Sequence, residues 1–478
     1  MAARKVLIRF PVLALGVGFM ASVACGLVVL LGGLVLAVVR PPVAHAATFT
    51  VDSTVDAVDA APGDGVCATA GGTCTLRAAV QEANALGGAN TIEVPAGTHT
   101  LTLAGVEDAA ASGDLDVTGG SLTIEGATAA TTVVDANGLD RIFEVLAPAT
   151  ASIANLTMKN GRSPATISYP ITGSGGGIFN HGTLTLTNSS LTGNSAVAGQ
   201  LGIGGGIEND GTLTLVNSAV SGNSAVGADG AVGGGIANFG TAMLTDSTVD
   251  SNSVTYLGGG IFSSSGTMTL LRCTVSRNAG DTGGGIFNLN GSLTLTNSTV
   301  SGNDARYAGG IANKVNSSLA MASLTLNNVT IADNHAAPMF GFGGGGLLTG
   351  FGPLTVVEIG NSILAGNTDA SGRAPDCFGA LSSQGYNLIQ STKGCFVADD
   401  TTGNLTGLAA KLRRLADNGG PTQTQALLPG SPALDAGNPA PPGTGGNACE
   451  ATDQRGVTRP QGWACDIGAY ERRSGARP

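Results

Sequence analysis

The stretch GGGIFNHGTLTLTNSSLTGNSA, residues 175–196, indicates the fold of this 478-residue chain because the chain repeats it. Its glycine triplet and the aliphatic residue after it return at residues 204, 233, 258 and 283, then as AGGI from 308 and GGGL from 344. The steps are 29, 29, 25, 25, 25 and 36 residues, and the insertions fall just before the triplet. This pattern is typical of a solenoid, whose repeats bury their apolar faces only against neighbouring repeats.

Each unit holds three short segments in which apolar and polar residues alternate, at 178–180, 184–188 and 191–194 in the first unit. Alternation over so few residues, rich in Thr, Val and Ile, predicts strands rather than helices. Three strands per coil, each stacked in parallel about 4.8 Å from its counterpart, make an all-β, right-handed parallel β-helix, a pectate-lyase-like solenoid. Leu and Ile are expected to point inward and threonines outward.

Asparagine recurs at three positions of the unit, and we expect each set to form a ladder in which one side-chain amide donates to the next. The first set is Asn180, Asn209, Asn238, Asn288 and Asn313. The last set is Asn194, Asn223, Asn252, Asn278, Asn303 and Asn334. The middle set, with Asn188, Asn217 and Asn297, is also expected to point inward, so the N-glycosylation pattern at Asn188 is discounted.

The ends of a solenoid need caps, because they expose an apolar cross-section and unpaired backbone groups. The stretch TLRAAVQEANA, residues 75–85, has helical periodicity and predicts a capping helix within an N-terminal cap over residues 47–90. Irregular coils are expected over 91–170, regular repeats over 171–370, and an irregular C-terminal cap over 371–478.

The composition favours one elongated, exported body, with 76 Gly and 12% charged residues against about 25% charged in an average globular protein. The N-terminus is basic as far as Arg9, apolar from residue 11 to 39, and ends in AHA at 44–46, so residues 1–46 are predicted to be an export signal. The signal is either cleaved before Ala47 or retained as a membrane anchor, since its apolar run is long enough to span a bilayer.

The cysteines agree with export, where disulfide bonds form. Three pairs close in sequence are candidates for bridges, namely Cys67/Cys74, Cys377/Cys395 and Cys449/Cys465. Cys273 stands alone, aligns with serines of the other repeats, and is expected to be a packed residue. Neither a CxxC pattern nor a histidine cluster is present, so no metal and no other cofactor is predicted. The formal net charge of −11 argues against nucleic acid as a partner.

One coil offers an acid/base constellation on its outward positions. Glu208 and Asp210 would lie on one face about 7 Å apart, a separation used by inverting glycosidases, and His181 would lie one coil away. No Arg or Lys is expected beside them to orient a uronate. These residues are the catalytic candidates if the protein cleaves glycans.

An aromatic stripe is the second candidate site. Phe239, Phe262 and Phe287 occupy one outward position on three consecutive coils and would expose an apolar surface. This surface would stack on sugar rings or bind a protein partner, unless an insertion loop folds over it.

Charged residues near the C-terminus suggest a further cluster, comprising Asp435, Asp453, Arg455, Arg459, Asp466 and Glu471. Paired Arg and carboxylate groups in a Gly- and Pro-rich segment are typical of structural hydrogen bonding, and we expect that role here.

Both ends of the mature chain resemble bacterial surface proteins. CTLRAAVQEANA from Cys74 resembles their C-S-L-R-E-A-I segment, with Ala78 in place of the Glu, and residues 415–437 with CDIGAYE at 465–471 resemble the choice-of-anchor Q domain. The repeats are similar to polymorphic outer-membrane-protein repeats. The resemblance implies an exported, surface-associated β-helix, often followed by a sorting anchor. No apolar tail follows Glu471, so attachment through the N-terminal segment or free secretion is expected.

The sequence therefore predicts an exported protein of the cell surface, outer membrane or extracellular space. Its expected role is that of a non-catalytic adhesin, envelope structural protein or glycan-binding protein. Expected partners are polysaccharide or a surface protein of a host or neighbouring cell, together with the membrane if the signal is retained. The alternative is a polysaccharide-degrading hydrolase or lyase on the same scaffold, because fold does not determine function.

Overall fold

The computed structural model describes residues 46–163, 172–338, 341, 343–350 and 354–473. The chain separates into residues 1–43 and 44–478, and the described residues all belong to the second unit. The predicted export signal lies outside the described residues except for Ala46. Within the described part of the chain, no helix combines the length and the apolar character needed to cross a membrane.

The predicted capping helix is present as Leu76–Leu86. It begins after Thr75, whose hydroxyl accepts a hydrogen bond from the Ala78 amide at 3.1 Å, and it ends at Gly87, whose φ is +62°. A side-chain acceptor at the N-terminus and a glycine in the left-handed region at the C-terminus are the usual local signals for helix ends. The helix packs against the strands 89–94 and 115–117 of the first coils.

Most of the remaining described chain, as far as the strand Leu405–Thr406, is a parallel β-helix. The three predicted strands occur in each regular coil, and a short fourth strand lies between the last asparagine of the coil and the next glycine triplet. Residues in equivalent positions pair in register, as Ile178 does with Ile207 and Leu184 with Leu213. The first glycine of the triplet, such as Gly204 with φ of +62°, turns the chain in a left-handed conformation that residues with a Cβ rarely adopt.

We name the four sets of stacked strands stack 1 to stack 4, in their order along a coil. Stack 1 consists of Leu115–Val117, Phe143–Val145, Ile178–Asn180, Ile207–Asn209, Ile236–Asn238, Ile261–Ser264, Ile286–Leu289, Ile311–Lys314 and Leu347–Thr349. Stack 2 consists of Thr48–Thr50, Ala89–Val94, Ser121–Gly126, Thr150–Ala154, Thr183–Thr187, Thr212–Val216, Thr241–Thr245, Thr267–Leu271, Ser292–Thr296, Ala322–Asn327, Thr355–Gly360, Cys377–Gln384 and Cys395–Asp400. The strand Cys377–Gln384 pairs with both stacks, so they form one 22-stranded sheet.

The third and fourth stacks complete the coil. Stack 3 consists of Gly97–Thr100, Thr132–Asp135, Thr157–Lys159, Ser190–Thr192, Ala219–Ser221, Thr248–Asp250, Thr274–Ser276, Thr299–Ser301, Thr330–Ala332, Ile363–Ala365, Leu388–Ile389 and Leu405–Thr406. Stack 4 consists of Ser195–Ala198, Ser224–Gly227, Ser253–Val254, Ala279–Thr282, Asp304–Tyr307, His335–Ala336 and Thr368–Asp369. A separate three-stranded sheet is formed by the insertion strands Thr172–Ser174, Leu201–Ile203 and Gly230–Val232.

The last set of asparagines forms a continuous ladder inside the solenoid. Nδ2 of Asn194 donates to Oδ1 of Asn223 at 3.0 Å, and the same bond repeats through each coil as far as Asn367, which donates to Asp376. From Asn223 onward, each Oδ1 also accepts the backbone N–H of the asparagine in the preceding coil, for example that of Asn194 at 2.9 Å. The ladder thus satisfies buried backbone donors at the corner where the chain leaves the sheet.

The first set of asparagines forms two shorter ladders. Asn180 donates to Asn209 at 2.6 Å and Asn209 to Asn238 at 2.7 Å, while Asn288 donates to Asn313 at 2.7 Å. Ser263 takes the asparagine's place between the two ladders and accepts a bond from Asn238 at 3.2 Å. The prediction of amide ladders is confirmed for both sets.

The middle set of asparagines corrects one prediction. Asn188 and Asn217 are exposed at outer corners and adopt φ of +48°, and their amides bond to each other at 2.8 Å on the outside of the solenoid. The inward orientation predicted for them was wrong, and with it the reason for discounting the glycosylation pattern at Asn188. Asparagine occurs here because it tolerates the left-handed backbone.

All three predicted disulfide bonds are present, joining Cys67 to Cys74, Cys377 to Cys395 and Cys449 to Cys465. Disulfide bonds are typical of extracellular and exported proteins. Cys273 is free and buried in the serine column of the coil, and burial raises the pKa of its thiol to about 12.

The irregular C-terminal segment lies along the outward face of stack 3 in the later coils. Gln454 accepts a bond from the Thr299 hydroxyl at 2.6 Å and donates to the Cys273 carbonyl oxygen at 3.1 Å. Ile363 and Leu388, on the same face, pack against residues of this segment. The segment predicted as a cap therefore covers the side of these coils.

Candidate functional site

The outward-facing residues at the middle position of each stack 1 strand form a column, which we call the outward column. Its residues change from acidic to apolar along the solenoid. Its register runs from Asp116 to Glu144, Phe179, Glu208 and Ala237. Beyond them the column is occupied by aromatic and aliphatic residues. Acidic groups are thus concentrated on the first coils.

The three predicted acid/base residues do lie near one another. Nδ1 of His181 is 3.4 Å from Oδ2 of Asp210, and Nε2 is 3.8 Å from an oxygen of Glu144. Glu208, however, is only 5% exposed, and no described residue bonds to its Oε2. Burial, followed by the negative charge of Asp210, raises the pKa of Glu208 to about 8. Its carboxyl group is therefore protonated near neutral pH and is poorly accessible to a polymer.

The expectation that no basic residue lies beside this group was wrong. The positive charge of Arg141 acts on Glu208, and its guanidinium lies 5.8 Å from the centre of the Phe179 ring. Arg141 bonds to Asp114 at 2.7 Å and forms a short ion pair with Glu144. It comes from an irregular coil, to which the repeat alignment did not extend.

Arg141 is surrounded by more carboxylates than it can neutralise. Asp114, Asp116, Asp140 and Glu144 are all less than 8% exposed. Burial, with the charge of Asp114 second, raises the pKa of Asp116 to about 8 and that of Asp140 to about 7. Burial is also the main reason that the pKa of Glu144 is raised. The first coils therefore hold a buried acidic cluster with one guanidinium among its carboxylates.

The sequence contains a pattern that indicates this acidic cluster. Leu115-Asp116-Val117 and Phe143-Glu144-Val145 show the same alternation as Ile207-Glu208-Asn209, and each places an acid on the outward face. Aligning these irregular segments with the regular repeats would have shown one acidic column.

The predicted aromatic stripe is mostly covered. Phe262 and Phe287 are 5% and 4% exposed and stack at 5.9 Å, whereas Phe239 is 37% exposed and contacts Phe262 edge-on at 5.8 Å. Val232 belongs to the same buried apolar cluster as the two rings, and Leu257 packs against that cluster. Of the two alternatives, a covered surface holds for Phe262 and Phe287, whereas Phe239 stays partly exposed.

The charged residues near the C-terminus form structural pairs, as expected. Arg455 bonds to Asp453 at 2.6 Å, and the buried Arg459 bonds to Glu471 at 3.0 Å. Asp466 accepts the backbone N–H of Asp435 at 2.8 Å. These bonds hold the irregular segment together.

Comparisons with known proteins give likenesses of fold only. No protein-family model matches the chain, and no curated protein matches it in sequence. Among solved structures, pectate lyase Pel9A is similar with 14% identity and a TM-score of 0.48, covering 90% of this chain and 98% of the lyase. The A-module of mannuronan C-5 epimerase AlgE6 from Azotobacter vinelandii has 13% identity and a TM-score of 0.36, covering 69% of this chain and 94% of the module. The alginate lyase AlyGC, of family PL6, has 12% identity and a TM-score of 0.31, covering 71% of this chain and 53% of the lyase. Likenesses this weak carry no argument about activity.

Proposed function

We propose that this chain is an exported, non-catalytic surface protein that adheres to glycans through the outer face of stack 2. The observation that carries the proposal is a row of exposed hydroxyl side chains in register on five consecutive coils: Thr183, Thr212, Thr241, Thr267 and Ser292. Hydroxyl groups both donate and accept hydrogen bonds, as sugar hydroxyls do. The repeat of about 4.8 Å between coils offers many weak contacts to an extended polymer.

Stacks 1 and 3 are less available for such binding in the later coils. On stack 3, the equivalent residues Thr274 and Thr299 are fully buried beneath the C-terminal segment. On stack 1, Phe262 and Phe287 are covered. The disulfide bonds support export, which places the hydroxyl face where extracellular glycans occur.

Burial of Glu208 argues against the glycan-cleaving alternative. A general acid must reach the glycosidic oxygen within hydrogen-bond distance, and a carboxyl group that is 5% exposed does not meet an extended polymer chain. The contact between His181 and Asp210 is the observation that still favours an enzyme.

The test uses full-length protein, exported so that its disulfides form, and a panel of insoluble neutral polysaccharides. We expect the protein to be retained on at least one polymer without shortening it. Thr241→Lys should weaken retention at least tenfold, because a long charged side chain interrupts the row of hydroxyl groups. Thr192→Lys, the matched change on the outward side of stack 3, should leave retention unchanged.

Two results would contradict the proposal. Equal retention of the wild type and Thr241→Lys would exclude the hydroxyl face as the binding surface. Shortened polysaccharide chains, abolished by Glu208→Gln, would establish the enzyme instead.

A further inference from the structure

A second site lies away from the hydroxyl face, beside the capping helix. Asp108, Asp116 and Glu144 each place one carboxylate oxygen within 4.8 Å of the others. Asp108 is exposed on the loop before the strand Leu115–Val117, and the other two are adjacent in the outward column of stack 1. The group thus has a buried floor and one ligand open to solvent.

Asp116 provides an independent sign that a ligand is missing. Its side chain is 0% exposed, and its Oδ2 accepts the Ala110 amide at 2.8 Å. No described residue donates to its Oδ1. A buried carboxylate oxygen without a donor or a cation is costly when it is ionised, and no described residue supplies a partner for this atom.

The charge balance shows what kind of partner fits. Arg141 is already engaged by Asp114 and by one oxygen of Glu144. With Asp108, Asp116 and Asp140 added, five carboxylates share one guanidinium, which leaves four formal negative charges in excess when all are ionised. A cation would stabilise the ionised form of these carboxylates, which a neutral partner would not do.

The loop that carries Asp108 is held in place. Arg77 of the capping helix donates to the carbonyl oxygens of Gly113 and Asp114, at 2.8 and 3.1 Å. Glu107 accepts the amides of Ala109 and Ala111 within the loop. The loop is thus fixed by bonds that do not involve Asp108, whose carboxylate stays available.

We propose that Asp108, Asp116 and Glu144 form a calcium site that joins the N-terminal loop to the first coils. Carboxylate oxygens select hard cations. Ligands at the Ca²⁺ distance of about 2.3–2.6 Å lie up to about 5 Å apart across the ion. The three carboxylate oxygens, which lie within 4.8 Å of one another, can therefore all bind the same Ca²⁺. Mg²⁺, with bonds of about 2.1 Å, would draw the oxygens to within about 4.2 Å. A metal was not predicted from the sequence, because the ligands are not close in sequence and match no spacing motif.

The test measures Ca²⁺ binding to the full-length protein after removal of metals with a chelator, by calorimetry and by thermal unfolding. We expect one Ca²⁺ per chain with a Kd of about 1 mM or lower, as in extracellular calcium modules, a raised Tm, and weaker binding of Mg²⁺. Asp116→Asn should weaken Ca²⁺ binding at least tenfold. The asparagine can still accept the Ala110 amide, so the fold is expected to persist.

Two further variants keep the test decisive. Asp108→Asn, at an exposed position that does not contribute to the core, should also weaken binding at least tenfold. Glu125→Gln, an exposed acid on a nearby coil of stack 2, should bind as the wild type does. The proposal is overturned if wild-type protein shows neither heat of binding nor a shift in Tm at about 5 mM Ca²⁺, or if Asp108→Asn and Asp116→Asn both bind like Glu125→Gln.

Discussion

Replacing Asn278 by alanine should destabilise the solenoid by about 2–6 kcal/mol. Asn278 is 0% exposed and lies in the middle of the long amide ladder. Its Nδ2 donates to the Val249 carbonyl oxygen and to Oδ1 of Asn303, both at 3.0 Å. Its Oδ1 accepts the backbone N–H of Asn252 at 2.9 Å and the Nδ2 of the same residue at 3.0 Å.

The magnitude follows from these four bonds. Each is worth about 0.5–1.5 kcal/mol net, and the backbone N–H of Asn252 loses its acceptor in a site closed to water. Coils in a solenoid are stabilised mainly by their neighbours. Loss of these bonds in a central coil therefore weakens the interaction between the coils before and after it, as well as the total stability of the solenoid.

Urea unfolding followed by far-ultraviolet circular dichroism measures the effect. Fluorescence is unsuitable because the single tryptophan, Trp463, is 97% exposed. The control is Asn217→Gly, which removes the exposed bond to Asn188 while keeping a residue that tolerates the φ of +48°. It should change stability by less than about 0.5 kcal/mol. If Asn278→Ala shifts the midpoint no more than Asn217→Gly does, the buried ladder does not stabilise the fold as argued.

Two further predictions concern the backbone and the buried acid. A Cβ on Gly260 would lie 2.7 Å from a carbonyl oxygen of the next coil, so Gly260→Ala should lower the midpoint clearly, whereas Gly119→Ala, which meets nothing within 4 Å, should not. Stability should also fall as pH rises from about 4.5 towards about 8, because the carboxyl group of Glu208 loses its proton at its ordinary pKa when unfolded and keeps it to about 8 when folded. Glu208→Gln should remove up to about 1.4 kcal/mol per pH unit of this dependence. Equal midpoints for the two glycine variants, or an unchanged pH slope in Glu208→Gln, would contradict these arguments.

The repeat itself determined the coil, its inward residues and both buried ladders. Glycine and asparagine recur at fixed steps, so equivalent residues such as Asn194 and Asn223 must meet if the strands stack in parallel. The disulfide pairs could be predicted for a similar reason, because their cysteines are separated by only 7, 18 and 16 residues. Local periodicity carries this information, since each coil repeats the same short-range relation.

The candidate sites depend on backbone conformations and contacts that the repeat pattern does not specify. Alternation does not specify the sign of φ at a corner, so Asn188 was placed inside when it lies outside. The repeat also does not specify the path of an insertion, and only the folded chain shows that Val232 and Phe262 share one buried apolar cluster.

Long-range packing decided the rest. Glu144 meets Phe179 and Asp116 only through the pairing of irregular coils, and Gln454 reaches Cys273 across 181 residues. The free energy of such contacts belongs to the assembled solenoid and not to any short segment. The sequence alone therefore determined the scaffold, and the tertiary structure decided which side chains are gathered, covered or left available on it.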